Sequence, residues 1–588
     1  MNGIDAVLSP LRVTLAMSAL LMGVSTSLAA EYIASSAVQI TAAMQTAQPG
    51  DILTMTDGNW TNQRIHFAGD GAAGVPITLR AQTPGHVVLN GNSKINISGN
   101  WLVVDGLNFE GGALGANDHI VEFRGSRGEA FNSRFTNSSI VNYNPTSIDT
   151  RYFWVSLYGQ NNRVDRNRFE GQNHSGVTAV VWRDSGPDHH LIDGNHFLNR
   201  PAPVDPSDPN GFETIRIGDS SESLSNSFTT VENNLFERVD GEIEIISNKS
   251  GGNVYRYNTF RESAGMLTLR HGNDNRVEGN FFLGANKSRT GAIRVIGERQ
   301  MIVNNYIANV DDRAGGAISI SAGVPNSDLD EYFQVKDAVI AHNTLVNVTG
   351  NAVTFDDGLG SSGRTLQAEN VTFANNIFRS TGPAIFDGTP GAGWTWEGNI
   401  ASGGSLGTIA GNPGVAPTNP QLVFGGDGLW RPASGSPAVN GAIGSYSGLT
   451  NIDMDGQFRE GTYDVGADEL AFSPVTRGPL SAADVGPWWL RGSFAAADFN
   501  ANGAVDGDDL AQWRSAFGGV GGRSEGDANA DGVVDGADFL VWQRQLGGWP
   551  AAAGAAAAVP EPAAAMLLSI GGCMACGVAR ADRLRPRI

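Results

Sequence analysis

The stretch "GEIEIISNKSGGN", Gly241–Asn253, alternates Glu242 and Glu244 with Ile243 and Ile245. On an extended strand successive side chains face opposite sides, so both carboxylates emerge on one face and repel unless something positive sits between them. Asn210, upstream in "NGFETIRIG", brings an amide oxygen to the same neighbourhood if the chain winds back on itself. One amide oxygen and two carboxylates form an all-oxygen set of the kind that hard cations such as calcium (Ca2+) take, with water or substrate completing the shell. Lys249 is expected in the turn after the strand, and Arg270, in "MLTLRHG", follows it by about 21 residues, roughly one turn of a solenoid. A metal, a lysine and an arginine over one groove suit one reaction class. In a uronic-acid polysaccharide the C5 proton is α to a carboxylate, and a cation on that carboxylate stabilises the charge left when the proton goes. Lys249 must be neutral to take that proton, a state that a neighbouring metal and guanidinium favour. Arg270 can hydrogen-bond or donate to the oxygen that leaves C4. The outcome is β-elimination, with no water added. A non-catalytic glycan-binding adhesin would use the same metal and basic groups to hold an acidic polymer, but has no need of a lysine poised to lose its proton.

Other residues are candidates of lesser weight. His271 is placed to contact substrate or to be a hydrogen-bonded turn histidine, and Glu213 to join the metal shell or serve the strand. Arg216 and Arg294 face outward on neighbouring coils, able to bind sugar carboxylates in bidentate pairs or to pair with an acid of the chain. His174 and Trp182, in "QNHSGVTAVVWRD", offer sugar stacking against a buried reading, and Arg364 is expected as a solvated loop arginine.

Positioning such a set requires coils, and the chain announces them. A phrase of Asn followed two residues later by an apolar residue recurs at Asn167, Asn195, Asn234, Asn258, Asn280, Asn305, Asn343 and Asn376, with a final "NI" at Asn399. The shortest spacings are roughly 22 to 25 residues, the period of a solenoid. The strand-like composition of each repeat favours an all-β, right-handed parallel β-helix, with the asparagines stacked as an internal ladder. A leucine-rich repeat is the competing reading, disfavoured by the absence of its Leu-x-x-Leu-x-Leu phrase. Aligning the glycine-led segments at Gly241, Gly265, Gly291 and Gly316 predicts that Ile243, Leu267, Ile293 and Ile318 stack inward, with Glu244, Thr268, Arg294 and Ser319 outward. "SAVQITAAMQTAQPGD" reads as a short helix capping the open end, and the solenoid is expected to finish around Asp453–Leu470.

Beyond a linker expected at 473–490, residues 491–548 are expected to form a small α-helical unit. Asp498, Asn500, Asn502, Asp506 and Asp509, and again Asp527, Asn529, Asp531, Asp535 and Asp538, follow EF-hand calcium-loop spacing, with Asp rather than Glu in the last place. Each set precedes an apolar helical phrase, the layout of a dockerin-type duplicated module, for which the expected partner is a cohesin-like receptor. Residues 1–30 carry Arg12, an apolar run and small residues at Ala29 and Ala30, the layout of a secretory signal peptide. The end, 549–588, carries "VPEP", an apolar run and a basic terminus. It resembles the PEP-CTERM sorting signal recognised by exosortase-type processing enzymes, and it is the one segment expected to contact a membrane. A secreted or cell-envelope location follows. The 588-residue chain has formal net charge -21, which argues against nucleic acid as a partner. Both cysteines, Cys573 and Cys576, lie in the tail, so the body at 31–472 is expected without a disulfide.

The runs "NGFETIRIG", "FTTVENNLFERVDGEIEIISNKS" and "MLTLRHG" resemble the core of polysaccharide lyase family 6, which includes alginate lyases and chondroitinase B on a right-handed β-helix. The early phrase from Met44 to Gly91 resembles the alginate-lyase branch. The resemblance implies that Asn210, Glu242 and Glu244 are calcium ligands, Lys249 the Brønsted base and Arg270 the Brønsted acid. It implies alginate as the acidic polysaccharide cut, with chondroitin or dermatan sulfate as the alternative.

Overall fold

The computed structural model describes residues 29–184, 186–205, 207, 210–490, 496–499, 505–519, 525–528 and 533–546. Among the described residues three sheets of fourteen strands each run the length of the body, parallel except for the short pair Arg124–Gly125 and Gly128–Phe131, giving the expected parallel β-helix. One coil consists of Thr230–Glu232, Leu235–Val239 and Glu244–Lys249, and the next of Val254–Arg256, Thr259–Arg261 and Met266–His271, each strand pairing with its counterpart one coil on.

Coiling is fixed at the tight turn between the first two strands of each coil. Its first residue takes positive φ, as at Asn233 (54°), Tyr257 (58°) and Asn304 (59°), a conformation that asparagine tolerates better than most residues. The second is the buried ladder asparagine. The Asn234 backbone N–H and Nδ2 both donate to Asn258 Oδ1 at 3.0 Å, while Nδ2 also reaches back to the Ile192 carbonyl at 2.8 Å. The same pattern links Asn167, Asn195, Asn234, Asn258, Asn280, Asn305, Asn343, Asn376 and Asn399, the positions expected from the repeat. Inside, Phe169, Phe197, Phe236, Phe260 and Phe282 stack with centroids 4.6 to 5.1 Å apart, so aromatic faces follow the coil rise. A second amide row, Asn253, Asn275 and Gln300, lies at the turn after the third strand.

The ends depart from a plain stack. The helix Ala37–Ala43 caps the first coil, its start held by the Ser36 side chain and its Ile40 buried. The final strand of the solenoid is Val415–Pro417, earlier than expected, and the acidic stretch Asp453–Leu470 folds back over the flank instead of forming a coil. There Arg459, fully buried, donates to Asn304 Oδ1 and the Gly466 carbonyl at 2.8 Å, and the Ala467 N–H donates to Thr344 Oγ1. The stretch 473–490, expected as a linker, lies along the same flank and runs toward the first coils. Its Arg477 stacks on Tyr257, its Leu480 N–H donates to Thr259 Oγ1, its Gly486 N–H to the Gly194 carbonyl, and Trp489 Nε1 to the Asn137 carbonyl.

In the C-terminal unit, helices Gly507–Ala516 and Gly536–Gln545 each begin with a capping box. Asp509 accepts from the Phe499 and Asp506 N–H groups, and Asp538 from those of Ala528 and Asp535, so the last acid of each loop braces its backbone. Asp498 and Asp527 are buried. Asn500, Asn502, Asn529 and Asp531 lie outside the described residues, as do 1–28 and 547–588, where most of the expected leader and the expected sorting signal fall. Among the described residues no helix is long and apolar enough to cross a membrane.

Because each ladder oxygen serves two buried donors, Asn258→Ala should lower stability by about 1–3 kcal/mol, read as an earlier midpoint in urea unfolding. Substitution of exposed Asn92 should leave that midpoint unchanged.

Candidate active site

The third sheet of the solenoid carries the candidate residues. Across it Ile215, Ile246, Leu267, Ile293 and Ile318 face inward in register, and Arg216, Ser247, Thr268, Arg294 and Ser319 form the facing-out row. Ile246 and Ser247 therefore hold the places expected for Ile243 and Glu244. The reason is a pair of register shifts. Between Glu244 and Ile246 one strand gains a residue, Ile245, and beyond Asn248↔Leu269 the other gains Arg270, so that Lys249 pairs with His271. Such bulges re-aim side chains out of the regular pleat. Glu242 and Ile243 precede the strand in a bend, and Lys249 is the strand's last residue, not part of the following turn. Gly241 makes the bend possible: a Cβ there would lie 2.4 Å from the Phe212 carbonyl and 2.6 Å from Arg200 Nε.

The bulged segments line a cleft of about 440 Å³ that brings Asn210, Glu213, Glu242, Glu244, Lys249 and Arg270 together. His271, Arg216 and Arg294 line it as well. Burial, then the charges of Glu213 and Glu244, push the Glu242 carboxyl up to about 8, although the Phe212 N–H donates to it at 3.2 Å. Burial also raises Glu244, against the hydrogen bond from Ser247 and the charge of Lys249. Glu213 is 5% exposed, and its Oε2 has no hydrogen-bond partner. Three crowded carboxyls, two of them held toward the protonated form and one with an orphaned oxygen, beside an amide, have the donor chemistry of a divalent-cation site. A tighter acidic trio, Asp453, Asp455 and Asp468, has oxygens within 4.8 Å of one another. There, however, Asp453 accepts backbone N–H groups and Asp455 a bidentate pair from Arg431, which ties the trio to chain closure.

Arg270 is held from outside the solenoid. Its two terminal nitrogens donate to the Glu331 and Asp330 carbonyls at 2.8 Å, and its guanidinium lies 4.1 Å from the Tyr332 ring centre. Arg364 stacks on the same ring at 4.4 Å with Asp357 3.7 Å away, so it is tucked against the cleft wall and is not the solvated loop arginine expected. Arg294 pairs with Asp357 at 2.9 Å, the structural alternative weighed for it, whereas among the described residues Arg216 has no carboxylate within 4.0 Å. His271 is buried, within 3.3 Å of Ser220 Oγ, and desolvation followed by Arg270 and Lys249 pushes it down to about 3, so it is neutral. His174 is buried against Tyr152 and lies away from the cleft, while Trp182 is half-buried in the neighbouring one. Sequence reading missed Tyr332 and Arg151. Tyr332 sits in the long loop between strands Ile318–Ser321 and Val339–Ala341, and no periodicity fixes where such an inserted loop points.

A family model described as Chondroitinase B matches residues 34–385. No curated protein sequence matches the chain. Among solved structures, the PL6 family alginate lyase AlyGC is 37% identical over 69% of this chain, with a TM-score of 0.64; the match spans only 56% of that lyase's own length. A mannuronic acid specific polysaccharide family 6 lyase from human gut microbiota is 32% identical over 66% of this chain and 91% of its own, with a TM-score of 0.59. The alginate lyase AlyF-OU02, in complex with G6, is 25% identical over 78% of this chain and 95% of its own, with a TM-score of 0.60.

The raised carboxyl has a measurable sign. An unfolded glutamate ionises near 4.5 and folded Glu242 near 8, so its stabilising contribution in metal-free protein is complete below the first value and is lost as pH rises toward the second. Thermal melts of metal-free protein should therefore fall across that window, and Glu242→Gln should flatten the fall.

Proposed function

The chain belongs to polysaccharide lyase family 6, and from that membership we propose that it is a calcium-dependent lyase cleaving alginate by β-elimination. The observation that carries the reading is the convergence of Lys249, Arg270 and the Asn210–Glu242–Glu244 oxygen set in one cleft. Asn210, Glu242 and Glu244, with Glu213 beside them, would hold the calcium ion. When bound, that ion neutralises the uronate carboxylate and makes the C5 proton more acidic.

The remaining steps belong to the chain. Lys249 takes the C5 proton; the electron pair forms the C4–C5 double bond; and the C4–O bond breaks. Arg270, fixed by the Asp330 and Glu331 carbonyls, presents its guanidinium edge to the departing oxygen and stabilises its charge until it takes a proton from solvent. The orientation matters because a guanidinium free to rotate would contribute less in the transition state. Alginate is favoured because the relatives AlyGC and AlyF-OU02 are described as alginate lyases. The family model's description, Chondroitinase B, supports dermatan sulfate as the second substrate to test. In this reading the leader exports the enzyme, the duplicated acidic loops bind calcium and engage a cohesin-like receptor, and an exosortase-type enzyme processes the tail at the cell envelope.

Cleavage is read as ultraviolet absorbance of the new double bond conjugated to the carboxylate. Absorbance should rise on alginate, cease with chelator and return with calcium. Lys249→Ala should lower kcat by about 10²–10⁴-fold. Glu244→Gln should weaken the calcium requirement's midpoint without touching the C-terminal loops. No rise on alginate or dermatan sulfate by full-length protein supplied with calcium would overturn the reading.

A further inference from the structure

The catalytic cleft does not end at Arg216. Toward the first coils it opens into a second cleft of about 480 Å³, and Arg151 and Arg216 line both. Arg216 is 7% exposed, and its Nε has no hydrogen-bond acceptor. Among the described residues neither arginine has a carboxylate within 4.0 Å; Glu213 and Asp219 act on Arg216 from farther away. The contrast lies in the same facing-out row, where buried Arg294 has Asp357 at 2.9 Å. In a chain of net charge -21, a buried guanidinium beside a second cation, with Glu213 and the cleft-lining Asp219 beyond ion-pair distance, is only partly balanced. An anion entering between Arg151 and Arg216 would balance it.

The second cleft also has a wall suited to a sugar ring. The Trp182 and Tyr158 rings stack 6.1 Å apart and 13° from parallel, and Phe153 meets Trp182 edge-on at 5.2 Å. Trp182 is held by its Nε1 donating to Ser156 Oγ at 3.2 Å. The Arg216 guanidinium lies 4.9 Å from the Trp182 ring, and that of Arg151 5.5 Å from Phe153. Rigid aromatic faces beside a few convergent cations are what a pocket needs to take one charged group and the apolar face of its ring.

We propose that Arg151 and Arg216 form a second carboxylate subsite, which binds a uronate unit of the polysaccharide on the first-coil side of the cleavage point with its ring against Trp182. This rests on the polyuronate reading above and adds to it a requirement for a neighbouring charged sugar. Tetramannuronate and tetraguluronate serve as probes. Their binding to Lys249→Ala protein, measured by calorimetry, reads the subsite without cleavage. Arg151→Ala, at an exposed position, should weaken that binding about tenfold or more, and in otherwise wild-type protein should raise KM on alginate far more than it lowers kcat. Arg216→Met keeps the shape and removes the partly balanced charge, so it should weaken binding while leaving the melting temperature unchanged or higher. A structural role would give the reverse: lower melting temperature with binding intact. Unchanged oligouronate affinity in both variants would overturn the subsite even if cleavage proceeds. Absent cleavage with Arg151-dependent oligouronate binding would overturn the lyase reading and uphold the subsite.

Discussion

Each coil is tied to the next by strand pairing about 4.8 Å away, and every buried backbone group at the turns must find a partner across that distance. The asparagine ladder supplies those partners. One Oδ1 takes two donors from the coil before, and the amide nitrogen reaches a carbonyl behind it. Since the rise is nearly constant, side chains far apart in sequence arrive at fixed separations on the outer face. Asn210, Glu242, Lys249 and Arg270 come from three successive coils and share a cleft for that reason. The regular pleat alone would leave Arg270 and Glu242 elsewhere. Two bulges on adjacent strands interrupt it, and the second restores the register that the first disturbs.

Charge is distributed against the average of the molecule. The chain is strongly acidic, yet Arg151, Arg216, Lys249, Arg270 and Arg294 gather along one face of one sheet. A row of cations along a cleft focuses the field and draws a polyanion in, while the acidic remainder keeps it from adhering elsewhere. The carboxyls in the cleft are the exception, and their crowding carries a cost that a divalent cation would remove.

Much of this was legible in the chain. The ladder asparagines were readable because the turn demands one residue type at one place per coil. The cluster of Glu242, Glu244, Lys249 and Arg270 was readable because coil length converts sequence spacing into proximity. What escaped was local. Alternation in "GEIEIIS" suggested a strand from its first residues, but the pleat begins at Glu244 and Ile245 is swallowed by a bulge, a choice made by the bend under Gly241 and not by side-chain pattern. Tyr332 and the carbonyls that hold Arg270 come from an insertion whose path is set by what it lands on. Arg364 likewise gave no sign in sequence that a ring would cover it.

The strap from Thr476 to Trp489 changes how such a molecule comes apart. A solenoid is close to one-dimensional: each coil knows only its neighbours, and fraying can begin at either end and advance coil by coil. Here the chain that leaves the last coils returns to touch Tyr257, Thr259, Gly194 and Asn137 in turn. Coils remote along the stack are thereby joined by a second covalently continuous path, so opening the middle must also peel the strap. The stack gains cooperativity that nearest-neighbour pairing does not provide, and during synthesis it gains this only after the chain has emerged past residue 489.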